Sequence, residues 1–195
     1  MDARRNDIGG AADGRIGPPG RWPSFSDPRF RLFLRHWAER RVGLVVPRSA
    51  IDPAALKPCL PYVYLMRYDP AFDTFICTLS GELVNQAWGT TLMGKRPHDF
   101  MPASSAALAN EIYRRIVLTP ILHVGHRHSG SPDVPVKAAE RLVAPLSDAD
   151  GRPYGLFGLS VYHFDPIAEA TYAPHVGSNF TEYFCADLPA DLPPE

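Results

Sequence analysis

Residues 62–94, YVYLMRYDPAFDTFICTLSGELVNQAWGTTLMG, constrain this chain more than any other stretch. They set two runs rich in β-forming residues, 62–68 and 74–79, on either side of Asp69-Pro70-Ala71-Phe72-Asp73. Asp and Pro preset turn geometry, so the two runs read as an antiparallel hairpin. Ser80 then offers a helix cap. Leu83, Val84 and Trp88 follow at helical spacing, and Gly89 stops the helix. A hairpin running into a short amphipathic helix and a glycine-closed loop is a sheet beginning to wrap around something small. No set of residues in the stretch performs chemistry by itself.

The flanking sequence fills in the rest of the sheet and its cover. Residues 1–26 are rich in Gly, Arg and Asp, with Pro18, Pro19 and Pro23, and read as a disordered tail. Its Arg4, Arg5, Arg15 and Arg21 could touch an anionic partner. Asp27 is a good N-cap with Pro28 at the first helical position. Phe30, Phe33, Leu34 and Trp37 then form an apolar stripe, and Gly43 closes the segment. That stripe must cover either the outer face of the sheet or the same helix of a second copy in a homodimer. Asp52-Pro53 marks another helix start, limited by Pro58 and Pro61. A longer helix over 103–118 carries Leu108, Ile112, Tyr113, Ile116 and Val117 on one side. Three strand-like runs follow, 120–128, 136–146 and 154–163. SGSPDVP loops between the first two, and Asp148-Ala149-Asp150-Gly151 turns between the last two. Residues 165–195 read as a partly ordered extension. The expected fold is α+β: a five-stranded antiparallel sheet with helices on one face and an N-terminal helix, within a domain spanning 27–164.

Charge and cysteine usage bear on partners and compartment. Lys plus Arg number 20 and Asp plus Glu 21, for a formal charge of −1. Such a balance gives no global attraction to nucleic acid or acidic lipid, so neither is expected as a partner. The three cysteines, Cys59, Cys77 and Cys185, form no CxxC pair. No run approaches the ~20 apolar residues of a membrane helix, and the N-terminus has no apolar signal core. A cytoplasmic location is the expectation.

The pattern resembles the alphaproteobacterial PAS-like family of the PAS_5 type. The resemblance rests on an aromatic opening helix like FLRHWAERR. VPRSAIDPAALKPCLPYVYL follows, with Ile51, Asp52, Pro53, Leu60 and Pro61 in matching places. FICTLSGELVNQAWGTTLMGKR then matches at Leu79, Gly81, Val84, Gly89, Leu92, Gly94 and Lys95, and ERLVAPLSDADGRPYGLFG at Glu140, Pro145 and Leu146. It covers about residues 29–164 and implies a sensory or regulatory module. No ligand, cofactor or catalytic residue carries over with it.

Candidate chemistry is sparse. His123, His126 and His128 form HxxHxH, in which strand alternation puts His126 and His128 on one face and His123 on the other. No carboxylate or thiol stands beside them at metal-ligand spacing. Cys77 reads as a buried inert thiol. Neither a paired acid and base nor a nucleophile motif is present, so no catalytic site, cofactor or metal is expected. Phe75, Trp88, Met93, Phe100, Ile112, Ile116 and Tyr162 are candidates to line a ligand pocket. Three functions remain open. One is a sensory module acting through contacts with a signalling protein, with a small apolar ligand. Another is a small α+β enzyme with a cone-shaped cavity, resembling the steroid isomerases, for which Asp99 and Tyr113 are the tempting pair. The third is a purely structural dimerisation module.

Overall fold

The computed structural model describes residues 13–128, 136–164 and 178–192. The SGSPDVP loop, residues 1–12 of the N-terminal tail and residues 165–177 and 193–195 of the C-terminal extension lie outside the described residues. Strand β1 covers Asp13–Ile16, β2 Val46–Pro47, β3 Val63–Asp69 and β4 Thr74–Ser80. β5 covers Ile121–His128, β6 Val136–Ser147, β7 Pro153–Phe164 and β8 Ser178–Phe184. Helix α1 spans Pro28–Glu39, α2 Glu82–Trp88 and α3 Ala103–Leu118. A 3-10 helix occupies Lys57–Tyr62, where Pro61 keeps a full α-turn from forming.

The described strands form one eight-stranded sheet in the order β1-β8-β5-β6-β7-β3-β4, with β2 paired to the end of β6. The five expected strands are its centre, β5-β6-β7-β3-β4, and all their pairings are antiparallel. The count of five is corrected by three further strands. β2 lies parallel to β6 at Val46–Leu146 and Pro47–Ser147, beyond the residues that β5 covers. β8 runs antiparallel along β5, and β1 runs parallel to β8 from Asp13–Asn179 to Ile16–Glu182. Part of the expected tail is therefore a strand, and part of the expected extension is the strand that receives it.

Helices lie on both faces, which explains why β6 and β7 alternate poorly between apolar and polar residues. On the outer face, α1 buries Phe30, Phe33, Leu34 and Trp37 against Leu142, Ala144, Leu146, Phe157 and Leu159. Asp27 caps this helix by accepting from the Arg29 amide at 2.8 Å. Trp37 donates its indole N–H to the Pro145 carbonyl at 3.1 Å, so its one polar atom is satisfied inside the core. Phe33 stacks on Phe157 with ring centres 4.6 Å apart. The stripe considered for a homodimer is thus enclosed within one chain, and the interface assigned to those four residues is corrected: their apolar area has no exposed remainder. The helix ends at Arg40, before Gly43.

On the inner face, α2, α3 and the loop between them pack on β3, β4, β6 and β7. The α2 cap is Gly81, and the Ser80 hydroxyl instead donates to Asn85 Oδ1 at 2.6 Å. Gly89 ends α2 at φ 66°, a conformation that a side chain would disfavour. In α3, Tyr113, Ile116 and Val117 face the sheet as expected. Leu108 does not, and is 44% exposed.

Candidate functional site

The pairing register assembles a polar cluster on the inner face that no single segment contains. Tyr64, Gly158, Val143, His123 and Glu182 stand in one row across β3, β7, β6, β5 and β8. The adjacent row is Ser160, Arg141, Gly125 and Phe180. Gly158 makes the first row workable. A Cβ there would stand 2.2 Å from Cζ of Tyr64, so glycine is what lets the Tyr64 ring lie across β7. Ser160 and Tyr113 of α3 are hydroxyl neighbours of Tyr64. Burial pushes both phenols up from their ordinary 10.0, against the pull of the nearby Arg141 charge. They remain neutral hydroxyl groups inside an otherwise apolar layer.

The second part of the cluster centres on Glu182, which is 2% exposed. Its Oε1 accepts from Arg115 Nη2 of α3 at 2.6 Å and faces His123 Nδ1 of β5 at 3.2 Å. Phe180, two residues earlier on β8, stacks on the His123 ring at 4.9 Å. Burial lowers the His123 pKa and outweighs the opposing pull of Glu182. Burial also disfavours the Glu182 carboxylate, but the hydrogen bonds from His123 and Arg115 win and hold its pKa below 4.5. The pair therefore reads as a neutral imidazole donating from Nδ1 to an anionic carboxylate that is neutralised by Arg115.

The structure sorts the candidates read from sequence. Phe75 and Ile116 are fully buried in the inner layer, and Trp88, Phe100, Ile112 and Tyr162 pack against it with partial exposure. Met93 is not there. It is 62% exposed because backbone bonds from Gly94 to Cys77 and from Cys77 to Lys95 turn the loop so that Leu92 points inward. Asp99 and Tyr113 do not form a buried acid–hydroxyl pair. Asp99 is partly exposed and accepts from the Arg96 amide at 2.7 Å, whereas Tyr113 is buried. The three histidines separate as alternation requires: His123 points inward, while His126 is exposed on the other face, 3.9 Å from Glu140. The side chain of His128 lies outside the described residues. Among the described residues, no group of three His, Cys, Asp or Glu side chains is placed to hold a metal. No helix among them is long and apolar enough to cross a membrane.

Sequence reading missed Tyr64, Ser160, Arg141, Arg115 and Glu182. Arg141 and Ser160 had a signal, as polar residues at inner-face parity within apolar runs. Glu182 had none, since it lies 59 residues from His123. A second feature lies at the foot of the sheet, where a cleft of about 360 Å³ is lined by Val42, Leu44, Val117, Leu146 and Pro153.

Comparison with known proteins gives a family match and several distant structural likenesses. A PAS domain family model matches residues 26–161. No curated relative matches the sequence. Among solved structures, the Vibrio cholerae VqmA dimer in the absence of target DNA is 18% identical, with a TM-score of 0.45 over 58% of this chain and 52% of that one. VqmA bound to DPO is likewise 18% identical, with a TM-score of 0.45 over 58% of this chain and 57% of that one. A VqmA–ligand–DNA complex is 19% identical at a TM-score of 0.41, over 56% and 49%. The chain thus spans about half the length of these proteins. One of these structures is described as a complex with DNA, so the expectation of no nucleic-acid partner is not kept for this chain. That expectation rested on a formal charge of −1, and overall charge does not set the local field. The segment 27–41 alone carries Arg29, Arg31, Arg35, Arg40 and Arg41 against Asp27 and Glu39.

Proposed function

Since the chain belongs to the PAS domain family, we propose that it is a sensory or regulatory module that takes up a small, largely apolar ligand at the inner sheet face. The observation that carries this reading is the buried polar cluster. Tyr64, Tyr113, Ser160 and His123 are each less than 10% exposed, and they sit where α3 crosses the sheet. Burying hydroxyls and an imidazole in a core costs stability that aliphatic side chains would not, so a few convergent polar groups in an apolar layer favour recognition over packing. Phe75, Ile116, Trp88, Phe100, Ile112 and Tyr162 supply the apolar surround.

The response leaves the domain through contacts with another protein. Val42 and Leu44 support this, since both are exposed and line the cleft at the foot of the sheet. Native mass spectrometry of freshly purified protein tests the ligand reading. The expected result is a mass increment that vanishes on denaturation and is reduced in Tyr113→Phe. A spectrum with no increment, together with no thermal shift across a panel of small metabolites, would overturn it.

A further inference from the structure

The tip of the 42–45 turn is apolar where a turn tip is ordinarily polar. The Val42 amide donates to the Val45 carbonyl at 2.8 Å and Gly43 takes φ 65°, so the chain reverses within four residues. The reversal leaves Val42 70% and Leu44 44% exposed. Both edge the cleft at the foot of the sheet, whose walls also include Val117, Leu146 and Pro153. A single exposed aliphatic side chain is ordinary on a protein surface. Two on one tight turn beside an apolar cleft form a patch.

Asp148 decides what this patch can accept. Of the residues lining the cleft, it alone has an ionisable side chain. Its Oδ1 accepts from the amides of Asp150 at 2.9 Å and Arg152 at 2.8 Å, which fixes the carboxylate at the start of the turn between β6 and β7. Arg152, the nearest basic residue along the chain, is turned to Asp150 at 2.9 Å. Among the described residues, no Lys, Arg or His forms an ion pair with Asp148. A partner that covers the cleft takes water away from this carboxylate, and an unpaired carboxylate is costly to bury. A neutral apolar segment is therefore penalised here, and one that brings its own cation is not. A second copy of this chain would bring another Asp148 to the twofold and no cation from the same lining.

From this geometry we infer that the protein receiving the response docks in the foot cleft through an aliphatic side chain flanked by Lys or Arg. The aliphatic group lies against Val42, Leu44 and Leu146, and the cation meets Asp148. This rests on the reading that the response leaves through a protein contact at the foot, and it names the chemistry of that contact.

Two blocked pentapeptides, Gly-Leu-Lys-Leu-Gly and Gly-Leu-Gln-Leu-Gly, differ by one charge and make the test. Each is titrated into the isotope-labelled full chain, and amide shifts confined to residues 42–46 and 147–152 locate binding at the cleft. The lysine peptide is expected to bind about three- to fivefold more tightly, the scale of an ion pair at a partly exposed carboxylate. Raising the salt should shrink that preference. Asp148→Asn keeps an Oδ1 for the two amides and should bind both peptides alike, whereas Leu44→Ser should weaken both. Equal binding by wild type, or an unchanged preference in Asp148→Asn, overturns the inference and leaves the foot as a contact face. The inference also fails if neither peptide moves the foot amides. Foot shifts on concentrating the chain alone would assign the patch to a second copy, and shifts matched by free pentylamine would assign it to a small amine. Either result overturns the inference. The sensory reading is judged apart, by the mass spectra and metabolite panel.

Discussion

At the scale of single residues, the fold depends on groups that must keep one protonation state. His36 is 3% exposed and accepts a hydrogen bond on Nε2 from the Asp52 amide at 3.1 Å, which ties α1 to the segment after it. Burial lowers its pKa below 6.5, as it does for His123. The unfolded chain takes up protons at these sites near 6.5, while the folded chain resists until lower pH. Their contribution is therefore complete above that value and is lost as the pH falls through the folded values. The melting midpoint is expected to drop between about pH 7.5 and 5.5, and less steeply in His36→Gln, whose amide oxygen can still accept from Asp52. A flat profile would contradict both assignments. The thiols give an independent check. Cys59, Cys77 and Cys185 are buried and free, and burial pushes Cys59 up to about 11 and Cys185 up to about 12. A disulfide reagent at neutral pH should find no fast-reacting thiol in the native chain and all three after denaturation. Glu182→Gln should destabilise by about 3 kcal/mol in chemical denaturation, because it leaves Arg115 without its carboxylate.

At the scale of elements, α1 was the most legible feature of the sequence. Its cap and its four-residue apolar stripe both lie within a dozen positions, and helical spacing needs no knowledge of what the stripe meets. The Asp148–Gly151 turn was legible for the same reason, as a local chemical signal. β1 and β8 were not. A four-residue strand with Gly14 inside it and Gly17 just after it has no periodicity to read, and β8 takes its place only because the edge of β5 is there to receive it. Face assignment failed on β6 and β7 because both faces are covered, which removes the polar side of the alternation. This also hid Arg141 and Ser160, the residues that most distinguish the inner face. The covering role of α1 carries a prediction of its own. Phe33→Ala and Trp37→Ala should each cost about 3–5 kcal/mol, as for large aromatic side chains removed from a core. Their combination should leave no cooperative melting transition, since whole-domain stability is only about 5–15 kcal/mol. A double variant that melts like wild type would show that α1 is not the outer cover.

At the scale of the whole molecule, β6 and β7 make the longest ladder, from Val136–Phe164 to Ser147–Pro153, with paired strands on both sides. Their amides should be the slowest to exchange with solvent, and those of α2 and the 90–95 loop among the fastest. The PAS frame could be read from its sequence because its strands announce themselves in order. β1 and β8 could not, because β1 is defined by β8 and β8 by the edge of β5.

The dependence of β1 on β8 has a consequence in time. β1 ends at Ile16, and its partner β8 begins only at Ser178, far later in synthesis. At a synthesis rate of about 5–20 residues per second, β1 waits on the order of 8–30 s with its backbone unpaired. A nascent chain halted before β8 can seat α1 against β6 and β7, yet it presents β5 as a bare edge and lacks Glu182 at His123. β8, made after both strands it pairs with, covers β5 and completes the inner face, so a chain halted before it is marked out by the edge it cannot cover.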